Sequence, residues 1–257
     1  MKYITSSDNA FYKELYKLAT SARHRSKVGQ TLLDGAHLLD AYLAVGDLPL
    51  HLIVTEAALG DHEVTLLVKK MPDVPITQLD PSLFNELSEL KTVNGLLALI
   101  NVPKVEMLPG DASFALLLEN IQDPGNLGSM LRSAAAAGCE AVFMSKGCAD
   151  AWSPKVLRAA MGGHFVLHLY ENVDLLEIAN QFSGQIFAAA LSAKISIFTS
   201  HLRGKIGFAI GNEGAGLSDA LLAKTTAVRI PMPGKVESLN AAAAAAICLF
   251  EAVRQRN

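Results

Sequence analysis

Through the second half of the chain, short apolar runs recur between amphipathic stretches: FALLLE (114–119), AVFMS (141–145), FVLHLY (165–170), QIFAAAL (185–191), IGFAI (206–210) and AVRIP (227–231). Near-continuous apolar strands separated by helical segments predict a parallel sheet covered on both faces, hence an α/β fold. Ligands of such sheets bind at the carboxyl ends of the strands, so the loops after these runs are the places to look for chemistry. The first hundred residues alternate less regularly. Residues 9–20 and 35–45 have helical spacing, HLIVT reads as a strand, and GLLALI reads as a closing strand. Between the halves, NVPKVEMLPGDAS (101–113) interrupts the pattern with two prolines and a Pro-Gly pair. The division read from this pattern is a small α/β domain over 1–102, a linker over 103–113, and a larger domain over 114–257.

Three loops carry candidate chemistry. In ENIQDPGNLGSMLRSAAAAG (119–138), Asn126 is the predicted N-cap of a helix from Leu127 to Ala137, ended by Gly138. Leu127, Leu131, Ala134 and Ala135 face the core, and Arg132 leans back toward the helix mouth, where unpaired N–H groups attract anions. The motif alone fits a phosphate clamp or an exposed surface arginine. In AIGNEGAGLSDALL (209–222), a strand runs into glycines around Asn212 and Glu213, which permit close backbone approach to a ligand. It is neither GxGxxG nor a Walker loop. In RIPMPGKVESLN (229–240), prolines end a strand, and Ser238 is the predicted N-cap of a helix from Leu239 to Arg256. Six alanines lead that helix, with Ala243, Ala246, Ile247, Phe250 and Val253 on its apolar stripe. Alanine favours helix and adds little bulk, so another backbone can come close.

Composition narrows the picture. The net charge of −3 excludes a wholly basic nucleic-acid coat but not a local patch. Lys2, Lys13, Lys17, Arg23, Arg25 and Lys27 face only Asp8 and Glu14 in the first 27 residues; by charge alone this reads as a solvated face rather than a phosphate-tracking one. Three widely spaced cysteines form neither a disulfide framework nor a metal knuckle, and no HExxH occurs. The longest apolar run, Ala241–Phe250, is half the ~20 residues that span a bilayer. A soluble cytoplasmic protein, without membrane or metal partner, is the expectation.

Together the three loops resemble the three motifs of the SpoU (TrmH-type) RNA ribose 2′-O-methyltransferases of the SPOUT superfamily. Asn126, Gly128 and Arg132 match the first, IGNEGAGL the second, and RIPMPGKVESLN with its alanine-rich helix the third. The likeness runs through KGCADAWSPKVLRAAMG and covers 114–257. More loosely, GQTLLDGAHLLDAYL and LKTVNGLLALI resemble the substrate-binding domain often fused in front, with Asp34 and Asn94 where relatives often carry Glu and Gln.

The resemblance implies a SPOUT domain with a deep trefoil knot, S-adenosylmethionine as cofactor, homodimerisation through the catalytic domain, and a structured rRNA or tRNA substrate. By motif match, Asn126, Arg132, Glu213, Ser238 and Asn240 form the reaction centre, with Glu213 positioning Arg132 or balancing the sulfonium. Leu191, Ser192, Ala193, Gly211, Asn212, Ile230, Met232 and Leu239 line the cofactor pocket. In that context Arg23, Arg25, Lys27, Lys155 and Arg158 become RNA contacts. Guanidinium stays protonated, so Arg132 serves better as a phosphate grip and alkoxide stabiliser than as a base. His164 and His168 read as structural, and Trp152 as a surface or interface aromatic. The alternatives are a non-catalytic RNA-binding protein on the same fold, and a nicotinamide oxidoreductase, the latter weakened by the missing GxGxxG.

Overall fold

The computed structural model describes residues 1–88, 95–105 and 110–257. Asn94 and part of the expected linker lie outside the described residues. The chain forms two compact units, one of residues 1–104 with 152–165, the other of residues 105–151 with 166–257. The chain thus leaves the second unit after Ala151, contributes one short helical passage to the first, and returns at Val166.

The first unit has five strands, β1 (Lys2–Ile4), β2 (Gln30–Asp34), β3 (His51–Val54), β4 (Ile76–Leu79) and β5 (Leu96–Asn101), in the order β1-β4-β3-β5-β2. β4 pairs in parallel with β1 and β3, while β5 is antiparallel to both its neighbours. Asn9 caps the helix Ala10–Thr20, whose Tyr12, Leu15 and Leu18 are buried. The expected helix over 35–45 is Ala36–Ala44. The passage 152–165 joins this unit for a packing reason. Trp152, only 6% exposed, lies 5.0 Å from the His164 ring, and its carbonyl accepts a 2.7 Å bond from the Thr31 hydroxyl. Phe165 meets Tyr42 edge-on at 5.1 Å. Trp152 is therefore a core residue, not a surface aromatic, because its large apolar area finds a slot here.

The second unit holds seven parallel strands, β6 (Phe114–Leu118), β7 (Ala141–Ser145), β8 (His168–Val173), β9 (Gln185–Ala189), β10 (Ile195–Ser196), β11 (Ile206–Ile210) and β12 (Thr226–Arg229), in the order β10-β12-β9-β11-β6-β7-β8. Every residue of β6 and β11 is buried, as expected for strands covered on both faces. The expected strand at 165–170 starts later, because Gly163–Val166 forms a 3-10 turn. The two-residue strand β10 gave no apolar run to find.

Two helix starts differ from the expected ones. The first runs Pro124–Ala136 and is capped by Asp123, whose Oδ1 accepts the Asn126 N–H at 2.7 Å. Asp at N-cap followed by Pro at N1 is the stronger start, and it releases the Asn126 side chain from capping. The last helix runs Ala241–Arg256, capped by Asn240 rather than Ser238. It packs on β11 and on helix Pro124–Ala136 with Ala241, Ala242, Ala245, Cys248, Leu249 and Ala252. The predicted stripe is thus not the buried one: Ala243 and Phe250 are exposed, and Ala246, Ile247 and Val253 half-buried. An all-alanine start has no apolar contrast to set its rotation, so close packing decides it.

Candidate functional site

The carboxyl ends of β9, β11 and β12 open on a cavity of about 370 Å³. Its walls include Leu191 and Ser192 after β9, the 211–217 loop after β11, Ile230 and Met232 after β12, and Ser238, Leu239 and Ala241 leading into the last helix. Of the residues expected to hold a cofactor, Leu191, Ser192, Gly211, Asn212, Ile230, Met232 and Leu239 line it; Ala193 does not, and instead donates its N–H to the Ala190 carbonyl at 3.2 Å.

The 211–217 loop braces itself. Asn212 and Gly216 form a two-residue β-bridge, and Asn212 Oδ1 accepts the N–H groups of Gly214 and Ala215 at 2.9 and 3.0 Å. Gly216 adopts φ 70°, a conformation that suits glycine. A Cβ on Gly211 would run into the backbone of Gly216 and Leu217, so only glycine permits this fold-back.

Three of the expected reaction-centre residues meet beside this cavity, although they lie far apart in the chain. Asn240 Nδ2 donates to Asn126 Oδ1 at 2.9 Å, and Asn126 Nδ2 donates to Glu213 Oε1 at 2.6 Å. Asn240 Oδ1 in turn accepts the Ala242 and Ala243 N–H groups at 2.9 and 3.2 Å. The amide orientations are thereby fixed: each asparagine accepts from the helix side and donates toward the carboxylate. Glu213 is held by Asn126, and among the described residues no ion pair joins it to Arg132, so of its two expected roles, positioning Arg132 or balancing the sulfonium, the second needs no such contact. Ser238 lines the cavity, is exposed, and stands outside the chain of hydrogen bonds. Arg132 is exposed on helix Pro124–Ala136, free of hydrogen bonds and ion pairs among the described residues. An unpaired guanidinium of this kind is available to an anionic ligand.

The expected RNA contacts separate. Arg23 and Lys27 are exposed, but Arg25 is 5% exposed and its Nη1 donates to the Leu18 and Ala19 carbonyls at 2.6 and 3.2 Å. It closes the end of helix Ala10–Thr20 and is a structural residue, since a buried guanidinium satisfied by carbonyls cannot also reach a phosphate. Lys155 is exposed and Arg158 half-buried on helix Pro154–Ala160, which belongs to the first unit. His164 is buried, and the three cysteines are free thiols. Among the described residues no group of three or more His, Cys, Asp or Glu is placed to hold a metal, and no helix is long and apolar enough to cross a membrane.

Sequence reasoning missed Glu119 and Asn120. Glu119 accepts from the Ser218 N–H and hydroxyl, both at 2.7 Å, and Asn212 Nδ2 donates to the Asn120 carbonyl at 3.0 Å. These bonds tie the 211–217 loop to the end of β6; the only signal was their place directly after an apolar strand.

The chain is similar to known proteins over nearly its whole length. The family described as SpoU rRNA Methylase matches residues 113–250. The 23S rRNA (guanosine(2553)-2'-O)-methyltransferase RlmP of Bacillus subtilis is 33% identical over 256 residues, covering 97% of this chain and 98% of that protein. Among solved structures, an RNA 2'-O ribose methyltransferase is 32% identical, covers 98% of each chain and superposes with a TM-score of 0.84. The SpoU methyltransferase AviRb of Streptomyces viridochromogenes, in complex with the cofactor AdoMet, is 27% identical, covers 96% of this chain and 98% of that one, and gives a TM-score of 0.85.

Proposed function

The chain belongs to the SpoU rRNA methylase family, and from that premise we propose that it methylates a ribose 2′-hydroxyl of rRNA or tRNA at the junction of Asn126, Glu213 and Asn240. It is an S-adenosylmethionine-dependent RNA methyltransferase. The observation that carries the assignment of the site is the hydrogen-bonded chain Asn240–Asn126–Glu213 standing beside a cavity of about 370 Å³.

The residues present suit the cofactor. Apolar walls from Leu191, Ile230, Met232 and Leu239 offer a face for an adenine ring, and the glycine-rich backbone after β11 lets a ligand approach closely. When bound, the cofactor supplies an electrophilic methyl on a sulfonium. The sugar oxygen forms the new C–O bond as the C–S bond breaks, and its proton is lost to solvent. This chain then has three tasks. Asn126, held from both sides, orients the sugar. Arg132, unpaired, grips a neighbouring phosphate and stabilises developing negative charge on the attacking oxygen. Glu213 keeps the cofactor loop and the helix carrying Asn126 in register.

Two further elements belong to this reading. The first unit serves as the RNA-holding domain, supported by exposed Arg23 and Lys27. The second unit pairs with another copy and carries the knotted threading that the motif resemblance implies. Pairing is supported by the last helix, which leaves Ala243 exposed and Phe250 46% exposed on a side that would otherwise stay wet. Mapping ribose methylation over total rRNA and tRNA with and without the gene tests the activity: one lost methyl is expected, and an unchanged profile refutes it. Light scattering of the purified protein tests the pairing, with twice the chain mass expected and a monomer refuting it.

A further inference from the structure

We propose that a second cavity, across the 211–217 loop from the cofactor cavity, receives the base of the nucleotide being methylated, and that the Gln122 amide reads it. The proposal rests on the methyltransferase reading and adds to it a specificity-determining pocket. The cavity encloses about 320 Å³ at the carboxyl ends of β6 and β11, between Glu119, Asn120 and Gln122 on one side and Asn212, Ser218 and the 215–217 backbone on the other. That volume falls in the usual range of small-molecule pockets, about 300–1,000 Å³.

The walls are built rather than incidental. Glu119 and Asn120 pin the dividing loop at both ends through Ser218 and Asn212. Asn120 itself sits at φ 57°, a left-handed conformation that a non-glycine residue keeps only where its surroundings hold it. Here its N–H donates to the Ser145 hydroxyl at 3.0 Å, and its side chain occupies space that a Cβ on Gly147 would take.

The chemistry left over selects the ligand. Both Glu119 oxygens are used by Ser218, and Asn212 Oδ1 is used within its own loop. The Gln122 amide is exposed and unpartnered among the described residues. A primary amide donates and accepts at once, which matches the edge of a nucleobase. A phosphate would meet the Glu119 carboxylate on the same wall and gains no cation there. Placement agrees with this. Gln122 precedes Asn126 by four residues, and Asn126 is bonded to Glu213 on the dividing loop. Glu213 lines the cofactor cavity, and its chain neighbour Asn212 lines both cavities, so the reaction centre stands at the loop that divides them.

The test uses the full-length protein and four synthetic RNAs that carry the mapped site and differ only in the base at the modified position. Wild type is expected to favour one base. Gln122→Ala should lower kcat/KM for that RNA about tenfold, the worth of one hydrogen bond, and leave the other three nearly unchanged. Affinity for S-adenosylhomocysteine and the melting temperature should stay at wild-type values. An equal loss on all four RNAs, no loss on any, or weakened S-adenosylhomocysteine binding overturns the proposal, the last by giving the cavity to the cofactor's amino-acid tail. A wild type that neither binds S-adenosylhomocysteine nor methylates any of the RNAs overturns the functional reading, and this inference with it.

Discussion

Asn240 performs two tasks that substitution can separate. Its Oδ1 caps the last helix through Ala242 and Ala243, and its Nδ2 holds Asn126 at 2.9 Å. Asn240→Ala removes both. Loss of an N-cap costs about 1 kcal/mol, and loss of an exposed neutral hydrogen bond about 0.5 kcal/mol more. For a domain of this size, a destabilisation near 1.5 kcal/mol lowers the melting point by roughly 5 °C. Asn240→Ser keeps an oxygen that can cap, so it should cost no more than about 0.5 kcal/mol, or roughly 2 °C. Its hydroxyl is too short to reach Asn126. If the bridge orients the sugar, both variants lose turnover alike, on the order of a hundredfold, as a small misplacement at a reaction centre does. Calorimetry and single-turnover methylation with saturating cofactor measure the two effects. An Asn240→Ser protein that keeps turnover within twofold of wild type would refute the positioning role and leave only a cap.

Arg132→Lys replaces a planar fork by a point charge and should lower kcat at least tenfold with unchanged S-adenosylhomocysteine affinity; near wild-type turnover would show that bidentate gripping is not used. Arg25→Ala should destabilise the first unit by about 2 kcal/mol by taking away the partner of the buried Leu18 carbonyl and of the part-buried Ala19 carbonyl, whereas Lys27→Ala should weaken RNA binding and flatten its salt dependence without moving the melting point. The Arg254 guanidinium, with help from Gln255, holds the Glu251 carboxyl below its ordinary value of 4.5. A depressed carboxylate stabilises the fold above its unfolded value and loses that contribution as pH falls through the folded one. Denaturant midpoints should therefore drop more steeply below pH 4.5 in wild type than in Glu251→Gln; parallel curves would deny the linkage.

By itself the sequence determined the layered α/β character of the second unit, the position of most of its strands, and the three loops that carry the site. Strands buried on both faces are apolar throughout, so β6, β7, β9 and β11 announce themselves. The family resemblance of those loops pointed to Asn126, Arg132, Glu213, Ser238 and Asn240, of which the fold joins Asn126, Glu213 and Asn240 by hydrogen bonds. What the sequence could not determine was rotation, capping and company. The last helix turns a different face inward because six alanines offer no contrast until β11 and a neighbouring helix press on them. Arg25 looks like its exposed neighbours in sequence, yet burial beside free carbonyls makes it structural. Asn126 became a bridging residue only because Asp123 took over the cap. Trp152 went to a core that sequence distance placed more than a hundred residues away. Local periodicity records what one segment prefers, while these four outcomes depend on which distant groups share its surroundings, and only the folded chain brings those together.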